Sequence, residues 1–419
     1  MSSETADVVV VGAGAAGLMT AIAAARHAST IRVLCLDGAR TIGAKILVSG
    51  GARCNVTNRI VTEREFWGGP STIVRNVLRA FPAARTVAFF DELGVALHEE
   101  EHGKLFPDSN RARTVLDALM KECARLGIEV RGGARVTSIA RHRSGFHVQT
   151  GSGTVRASVA VLATGGRSLP KSGSDGFGYT LAGRLGHTLI DTTPALVPLL
   201  LADEDLRGLA GVALPAEVSV LIESARPVRL AGALLWTHFG ASGPVVLNAS
   251  RHWHRGRLEG RPVALTVKIC PGHTFESLET WWADAAGERP RASIVTVLSV
   301  LVPAAVAALW VSRSGVNPQQ TMAHVSREDR RAIIRALLET PLDVRDSRGY
   351  TYAEVTAGGI ALTEIDPSTM ASRVCPGLYL VGEILDVDGR IGGYNFQWAW
   401  SSGWVAGRAI ARRHRSPGD

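Results

Sequence analysis

The residues best able to do chemistry begin with three glycines, Gly12, Gly14 and Gly17, spaced G-x-G-x-x-G between an apolar run and an Ala-rich stretch. In that setting the first glycine permits a tight turn and the second lets backbone approach a pyrophosphate. The third lets a helix pack close to a strand. The helix start at Ala15 and Ala16 offers unpaired N–H groups and a partial positive charge to phosphates. Asp37, with Gly38 beside it, lies about 20 residues beyond Gly17 at the end of a second apolar run. A carboxylate there accepts hydrogen bonds from an adenosine ribose. Strand, glycine turn, helix and acid together predict dinucleotide binding.

Three further clusters stand out. Within 43–58, Lys45, Ser49, Gly50, Gly51, Arg53, Cys54 and Asn55 crowd a stretch with little core material. It suits either the lining of a cofactor or substrate pocket or an ordinary polar loop. In the first case Arg53 pairs with phosphate and Lys45 faces the cofactor or substrate. Ala163, Thr164 and Gly165 close an apolar run. Gly382-Glu383 and Asp386 precede Gly392-Gly393-Tyr394-Asn395-Phe396, a Gly-Gly turn opening the last helix. The N-terminus of such a helix stabilises negative charge on a ring it faces. Gly403 and Gly407 are spaced for close helix packing.

Tyr394, His238 and Lys45 are the catalytic candidates, since His titrates near neutrality and Tyr can donate a proton. Two of them also have plainer readings: His238 as a barrel histidine bonded to backbone, Tyr394 as part of a pocket wall. His252 and His254 fall on one face of an expected strand, but without a third ligand they make a poor metal site, and no metal is assigned. Glu99-Glu100-Glu101 reads as a solvated charge run. No Ser/His/Asp set argues for a hydrolytic centre.

The elements positioning these residues follow from periodicity. Residues 7–12, 15–27 and 31–37 read as strand, helix and strand, a βαβ unit. Residues 111–126 form an amphipathic helix, 129–131 and 134–139 short strands, 146–150 and 155–157 a hairpin, and 159–163 a buried strand. From about 196 to 268, short β-branched stretches alternate with Gly and Pro, favouring a small β-barrel-like insertion. Residues 275–338 turn helical, 378–381 return to a strand, and 398–412 make a final helix. The nucleotide domain is therefore split, with 1–192 as its first part, 193–272 as the insertion, 273–340 as helical, and 341–419 as the return.

Composition is that of a globular chain, 46% hydrophobic and 20% charged over 419 residues. The formal charge of +8 is either a solvated basic surface or an attraction for anionic ligands or RNA. There is no compact Lys/Arg patch interleaved with aromatics to support RNA. Five scattered cysteines, never spaced as CxxC, argue against a disulfide framework or structural zinc. A reduced cytoplasm is the simplest compartment. The N-terminus lacks the basic region and cleavage site of a signal peptide. Residues 294–311 approach membrane-span length, but Thr296, Ser299 and Pro303 favour two short buried helices over a membrane segment.

These motifs are carried by long segments: KILVSGGARCNVTN, GKLFPDSNRARTVLDAL, ATGG with SGSDGFGYTLAGRLGH, WTHFGASGPVVLNASR, and GLYLVGEILDVDGRIGGYNFQWAWSSGWVAG. In that order, and over most of the chain, they resemble the BaiN/RdsA-like NAD(P)/FAD-dependent oxidoreductases, a group that includes aminoacetone oxidase. The resemblance implies an α/β fold: a split Rossmann-type FAD-binding domain, a β-barrel-like insertion and a small helical subdomain. It implies FAD contacts at Gly12, Gly14, Gly17, Asp37, Ser49, Gly50, Arg53, Asn55, Val136, Thr164, Gly165, Gly382, Asp386, Gly393, Asn395 and Phe396. Their neighbours Ala15, Ala16, Gly38, Lys45, Gly51, Cys54, Ala163, Glu383 and Gly392 complete the expected set. Ala44 and Ala52 depart from the family pattern, and Ala52 predicts a loop that does not require positive φ there.

The activity so implied is hydride transfer between flavin N5 and a small organic substrate, an amine or an activated C=C. Without a second GxGxxG, any NAD(P)H docks transiently, and O2 is the alternative redox partner. Two other functions fit the motifs, reduction of uridine in ribosomal RNA and a non-catalytic FAD-binding sensor. The oligomeric state is left unassigned.

Overall fold

The computed structural model describes residues 4–415; Met1 to Ser3 of the N-terminal segment read above lie outside them. The chain divides into two compact units, Met1–Pro194 with Ala353–Asp419, and Ala195–Tyr352.

In the first unit, strand β1 (Glu4–Val11) leads through the glycine turn into helix α1 (Ala15–His27), then strand β2 (Val33–Leu36). Helix α2 (Ala44–Ala52) follows, and helix α3 (Ala112–Arg125) precedes strands β3 (Glu129–Arg131), β4 (Val136–His142), β5 (Gly145–Thr150) and β6 (Gly153–Leu162). β3, β2, β1 and β6 lie side by side in parallel, while β4 and β5 extend the sheet antiparallel. The last four residues of β1 are buried on both faces, as the continuous Val run requires in a covered parallel sheet. The two runs expected at 155–157 and 159–163 are one strand. Ser158 points outward and the ladder continues past it, because β5 pairs the first half of β6 and a later strand pairs the second.

The second unit holds strands β7 (Leu199–Leu201), β8 (Ala213–Ile222), β9 (Val228–Thr237) and β10 (Gly240–Ser242), then helix α4 (Pro244–Leu258) and strand β11 (Val263–Lys268). Helices α5 (Phe275–Glu288), α6 (Ile294–Leu298), α7 (Ala304–Arg313) and α8 (Arg327–Leu338) lead to strands β12 (Thr340–Leu342) and β13 (Val344–Ser347). The hydrogen-bonded order is β12-β11-β8-β9-β10-β7-β13. Because β12 and β13 are separated only by Asp343, one bent segment closes both ends of the path, a barrel-like sheet. The apolar stretch around Pro303 is two short helices, α6 and α7, with Pro303 capping the second. No helix among the described residues is long and apolar enough to cross a membrane. The helices share one core with the strands: Trp236 of β9 and Trp310 of α7 are fully buried with ring centroids 6.0 Å apart.

The chain then re-enters the first unit through strands β14 (Val355–Ile360) and β15 (Leu378–Leu380), the latter parallel to β6. Helix α9 (Tyr394–Arg415) closes the chain, starting four residues earlier than periodicity suggests. It lies against α1 as the glycine spacing predicts. A Cβ at Gly403 would stand 2.6 Å from the Ala16 carbonyl oxygen, and one at Gly407 2.6 Å from Ala23 Cβ.

Candidate functional site

The N-terminal turn is built so that only one of its three glycines faces free space. A Cβ on Gly12 (φ +102) would sit 2.7 Å from the Ala163 carbonyl carbon, and one on Gly17 would strike the Gly12 carbonyl. A Cβ on Gly14 would meet nothing within 4 Å. Gly14 caps α1 without a side-chain bond, and the first turn holds no acid, so its N–H groups are not consumed internally. Asp37 accepts from Ala13 N and Ala39 N, both at 2.8 Å, locking the turn to the end of β2. Ala134 N donates to the Asp37 carbonyl, which brings the strand start at Val136 alongside Asp37 and Gly38. Ala163 N donates to Val11 O, setting the 163–165 turn against the first; there Thr164 Oγ1 is buried with no hydrogen-bond partner among the described residues.

The 43–58 stretch is helical at its start, where a loop was expected, and carries Lys45 on α2. It then breaks: Ser49 is extended, and Gly50, Gly51 and Ala52 all adopt left-handed φ of +55, +68 and +67. This corrects the reading that the loop avoids positive φ at Ala52, because a left-handed turn continues through that residue. Arg53 does not present a free cation to phosphate. Its guanidinium pairs with Glu100 at 2.5 Å and lies 4.2 Å from the Phe106 ring centroid. Glu100 is thus no solvated member of the Glu99–Glu101 run, and Arg53 holds its carboxyl below the usual range. Cys54 is fully buried and its thiol is pushed up to about 12 by that burial, with the Ser49 hydroxyl opposing, so it offers no thiolate. Asn55, oriented with its nitrogen toward the Thr57 carbonyl (2.8 Å), accepts from Gly393 N at 3.1 Å, tying this loop to the C-terminal glycine turn.

Lys45 and Glu383 come together from positions 338 residues apart. Lys45 Nζ donates to Glu383 Oε2 at 2.5 Å and to Ser168 Oγ at 2.7 Å. Ser168 Oγ is 2.9 Å from Glu383 Oε1, which also accepts from Thr356 N at 2.9 Å. Thr356 Oγ1 in turn accepts from the backbone of Arg167 and Ser168. Glu354 completes the neighbourhood: its side chain is accessible, yet the protein enclosing it raises its carboxyl pKa against the opposing charge of Lys45. Ser168, Glu354 and Thr356 carried no sequence signal, because each acts only through partners brought near by the sheet.

At the C-terminal turn, Gly392 and Gly393 have φ of +126 and +90. Asn395 does not point outward: its amide accepts from Gly389 N and donates to Gly389 O, both at 2.8 Å. Phe396 stacks on Trp400, with centroids 5.6 Å apart. Tyr394 is buried against Phe66, and that burial raises its phenol. Asp386 supplies backbone bonds to Gly69 and Ile360, just beyond the Gly382-Glu383 turn.

Outside this constellation, His238 is exposed in the turn between β9 and β10, edge-on to Phe239, rather than bonded to barrel backbone. His252 and His254 lie on helix α4, not on a strand, so positions two apart diverge around the axis. Burial pushes their pKa values down to about 3 and about 4. No group of three His, Cys, Asp or Glu among the described residues is arranged for a metal. A Ser/His/acid chain that the sequence did not reveal does exist: Ser372 Oγ is 2.8 Å from His187 Nε2, and His187 Nδ1 is 2.7 Å from Glu364 Oε2. Ser372 Oγ already accepts from Val374 N and Cys375 N, so this is a buried clip and not an activated nucleophile.

A mixed sheet with a parallel centre, a G-x-G-x-x-G turn and an uncapped helix start define a Rossmann-type α/β protein. The chain matches the HI0933-like protein Rossmann domain over residues 6–409, and it belongs to that family of FAD-dependent oxidoreductases. It is 34% identical to the 3-dehydro-bile acid delta(4,6)-reductase of Clostridium scindens, over 96% of this chain and 98% of that protein. It is also 34% identical to the ribosomal RNA dihydrouridine synthase of Escherichia coli, over 97% and 98%. Among solved structures it is similar in fold to the 3-ketosteroid delta1-dehydrogenase of Sterolibacterium denitrificans, with a TM-score of 0.51 and 14% identity, over 98% of this chain and 100% of that one. The cofactor is FAD, and the residues present are compatible with it: the α1 start at Gly14 has no side-chain cap and its Cβ position is unobstructed.

Proposed function

We propose that the chain reduces an activated C=C of a small organic molecule, with NAD(P)H docking transiently as the electron source. Two curated relatives are named as a delta(4,6)-reductase and a dihydrouridine synthase, names that favour C=C reduction over amine oxidation. Gly12, Gly14, Ala15, Ala16 and Gly17 hold the pyrophosphate, and Asp37 with Gly38 holds the adenosine ribose. Glu383, braced by Lys45, Ser168 and Thr356, fixes the polar chain of the cofactor, and the N-terminus of α9 faces its ring. When bound, FAD supplies a hydride from N5. The protein supplies the accompanying proton, and the observation that carries this reading is Glu354. Its backbone carbonyl accepts from Ser168 Oγ at 3.2 Å, which sets it beside the Lys45–Glu383 pair, and desolvation raises its carboxyl pKa against the opposing charge of Lys45. The five free, buried cysteines support placing the protein in a reducing compartment, the cytoplasm.

The test uses FAD-loaded protein, NADPH and an enone such as 2-cyclohexenone, following return of the oxidised flavin absorbance. Glu354→Gln is expected to slow turnover by about 100-fold and to abolish the decline in rate as pH rises through the Glu354 pKa, leaving FAD content unchanged. Full turnover in that variant removes Glu354 from the reaction. A second reading, reduction of uridine in ribosomal RNA, is favoured by the equal identity to the Escherichia coli relative. Formation of dihydrouridine in naked ribosomal RNA, with no enone turnover, establishes it instead.

A further inference from the structure

Beyond β13 the chain doubles back: Gly349 takes a left-handed φ of +65, and Tyr352 N donates to Gly349 O at 3.1 Å. This turn lays the Tyr352 ring against Arg348, whose guanidinium carbon is 3.4 Å from the ring centroid. The same carbon is 4.6 Å from the ring centroid of Phe239, in the turn between β9 and β10. Both arms are anchored by backbone, Arg348 N donating to Pro198 O at 3.0 Å and Leu201 N to Phe239 O at 3.2 Å. Ser347 Oγ, 2.8 Å from His254 Nε2, accepts from Gly349 N and fixes the start of the turn.

Stacking on aromatic faces orients a guanidinium and leaves its edge to donate. Among the described residues, no hydrogen-bond acceptor or carboxylate meets any N–H of the Arg348 side chain. Other arginines of this unit are spent on acids: Arg330 on Glu279, Arg313 on Asp203 and Arg261 on Glu259. His238, exposed and edge-on to Phe239 at 5.0 Å, adds a second donor beside the same ring.

We propose that Arg348, braced by Phe239 and Tyr352, is a binding site for the carboxylate of a small organic molecule. The guanidinium fork takes both carboxylate oxygens, and Tyr352, about half exposed at 48%, covers the adjoining carbon skeleton. A polyanion such as RNA needs a run of cations along its backbone. Here the stretch leading to Arg348 alternates in sign, with Asp343, Arg345 and Asp346 all exposed, so it presents no run of cations and suits a single small anion. If the reduction proposed above holds, its substrate is an acid; that step rests on that reading, whereas the binding site does not.

The probe is benzoate, titrated calorimetrically into the FAD-loaded protein. Arg348→Met is expected to weaken binding by about 10-fold or more, the loss of charge-assisted bonds. Arg348→Lys weakens it nearly as much, because an ammonium lacks the fork. Unchanged FAD content and thermal unfolding certify that both variants fold. Equal benzoate affinity in Arg348→Met, or no benzoate binding by the unmodified protein, overturns the proposal. So does Arg348-dependent binding of inorganic phosphate or oligouridylate in place of benzoate. In the enone assay, Arg348→Met raises KM for an enone acid and not for its methyl ester. Arg348-dependent benzoate binding without any enone turnover sinks the proposed reaction and leaves this site standing.

Discussion

The two glycine turns that open α1 and α9 look alike in sequence and differ in what lies above them. At Gly14 a Cβ would meet nothing within 4 Å, whereas at Gly393 it would meet the Thr57 carbonyl at 2.5 Å and the Asn55 side-chain amide at 2.8 Å. Gly14 vacates volume, while Gly393 fits one piece of backbone against another in a conformation that L side chains resist. The same residue type therefore leaves space open at one end of the chain and fits the chain against itself at the other. The two turns are nevertheless linked, since Asn55 joins the 43–58 loop to Gly393.

The contrast is broken or upheld most directly by filling each turn. Gly14→Leu is expected to weaken FAD binding by about 100-fold or more, equivalent to about 3 kcal/mol, while the apo protein unfolds at nearly the same temperature. Gly393→Ala reverses the pattern. Left-handed strain and the clash with Thr57 together cost the apo fold about 3 kcal/mol, seen as a lowered unfolding midpoint without FAD. A yellow, FAD-replete Gly14→Leu protein shows that the pyrophosphate lies elsewhere, and an unperturbed apo Gly393→Ala shows that its turn was not wedged.

A smaller effect separates these turns from the second unit. His252 is buried and neutral, with its pKa pushed from the ordinary value down to about 3. The unfolded chain then binds more protons than the folded one between about pH 6.5 and 3, so stability is present above that window and lost as pH falls through it. From about pH 7.5 to 5 this amounts to about 2 kcal/mol, measured by urea unfolding followed through tryptophan fluorescence. His254, depressed to about 4, adds a similar dependence, so His252→Gln lowers the slope by about half.

What could be read in advance follows the same division between local and distant causes. The α1 turn was legible because its glycines, helix and Asp37 are written within one βαβ unit and constrain each other locally. Lys45 with Glu383, Arg53 with Glu100, and His187 with Ser372 and Glu364 were not, because no spacing records which distant partner the fold delivers. His252-Trp253-His254 alternates like a strand, yet a buried helix with apolar residues on several sides hides its own period. Ser158 misled in the opposite direction, since one outward polar residue ends an apolar run without ending a strand.

The smallest expected effect sharpens the comparison at the loop joining both turns. Ala52 holds a left-handed φ of +67 after Gly50 and Gly51, where a non-glycine residue costs about 1–2 kcal/mol. Ala52→Gly removes that strain but returns about 0.4–1 kcal/mol to the freedom of the unfolded chain. The net expectation is a stabilisation of about 0.5 kcal/mol, read as a slight rise in the apo unfolding midpoint with FAD affinity unchanged. The sign is the informative part. A rise shows that the left-handed turn is intrinsic to the apo fold, as the packing of Asn55 on Gly393 requires. A fall shows that Ala52 relaxes out of that conformation without FAD, so that this loop, like Gly14 and unlike Gly393, is shaped to the ligand.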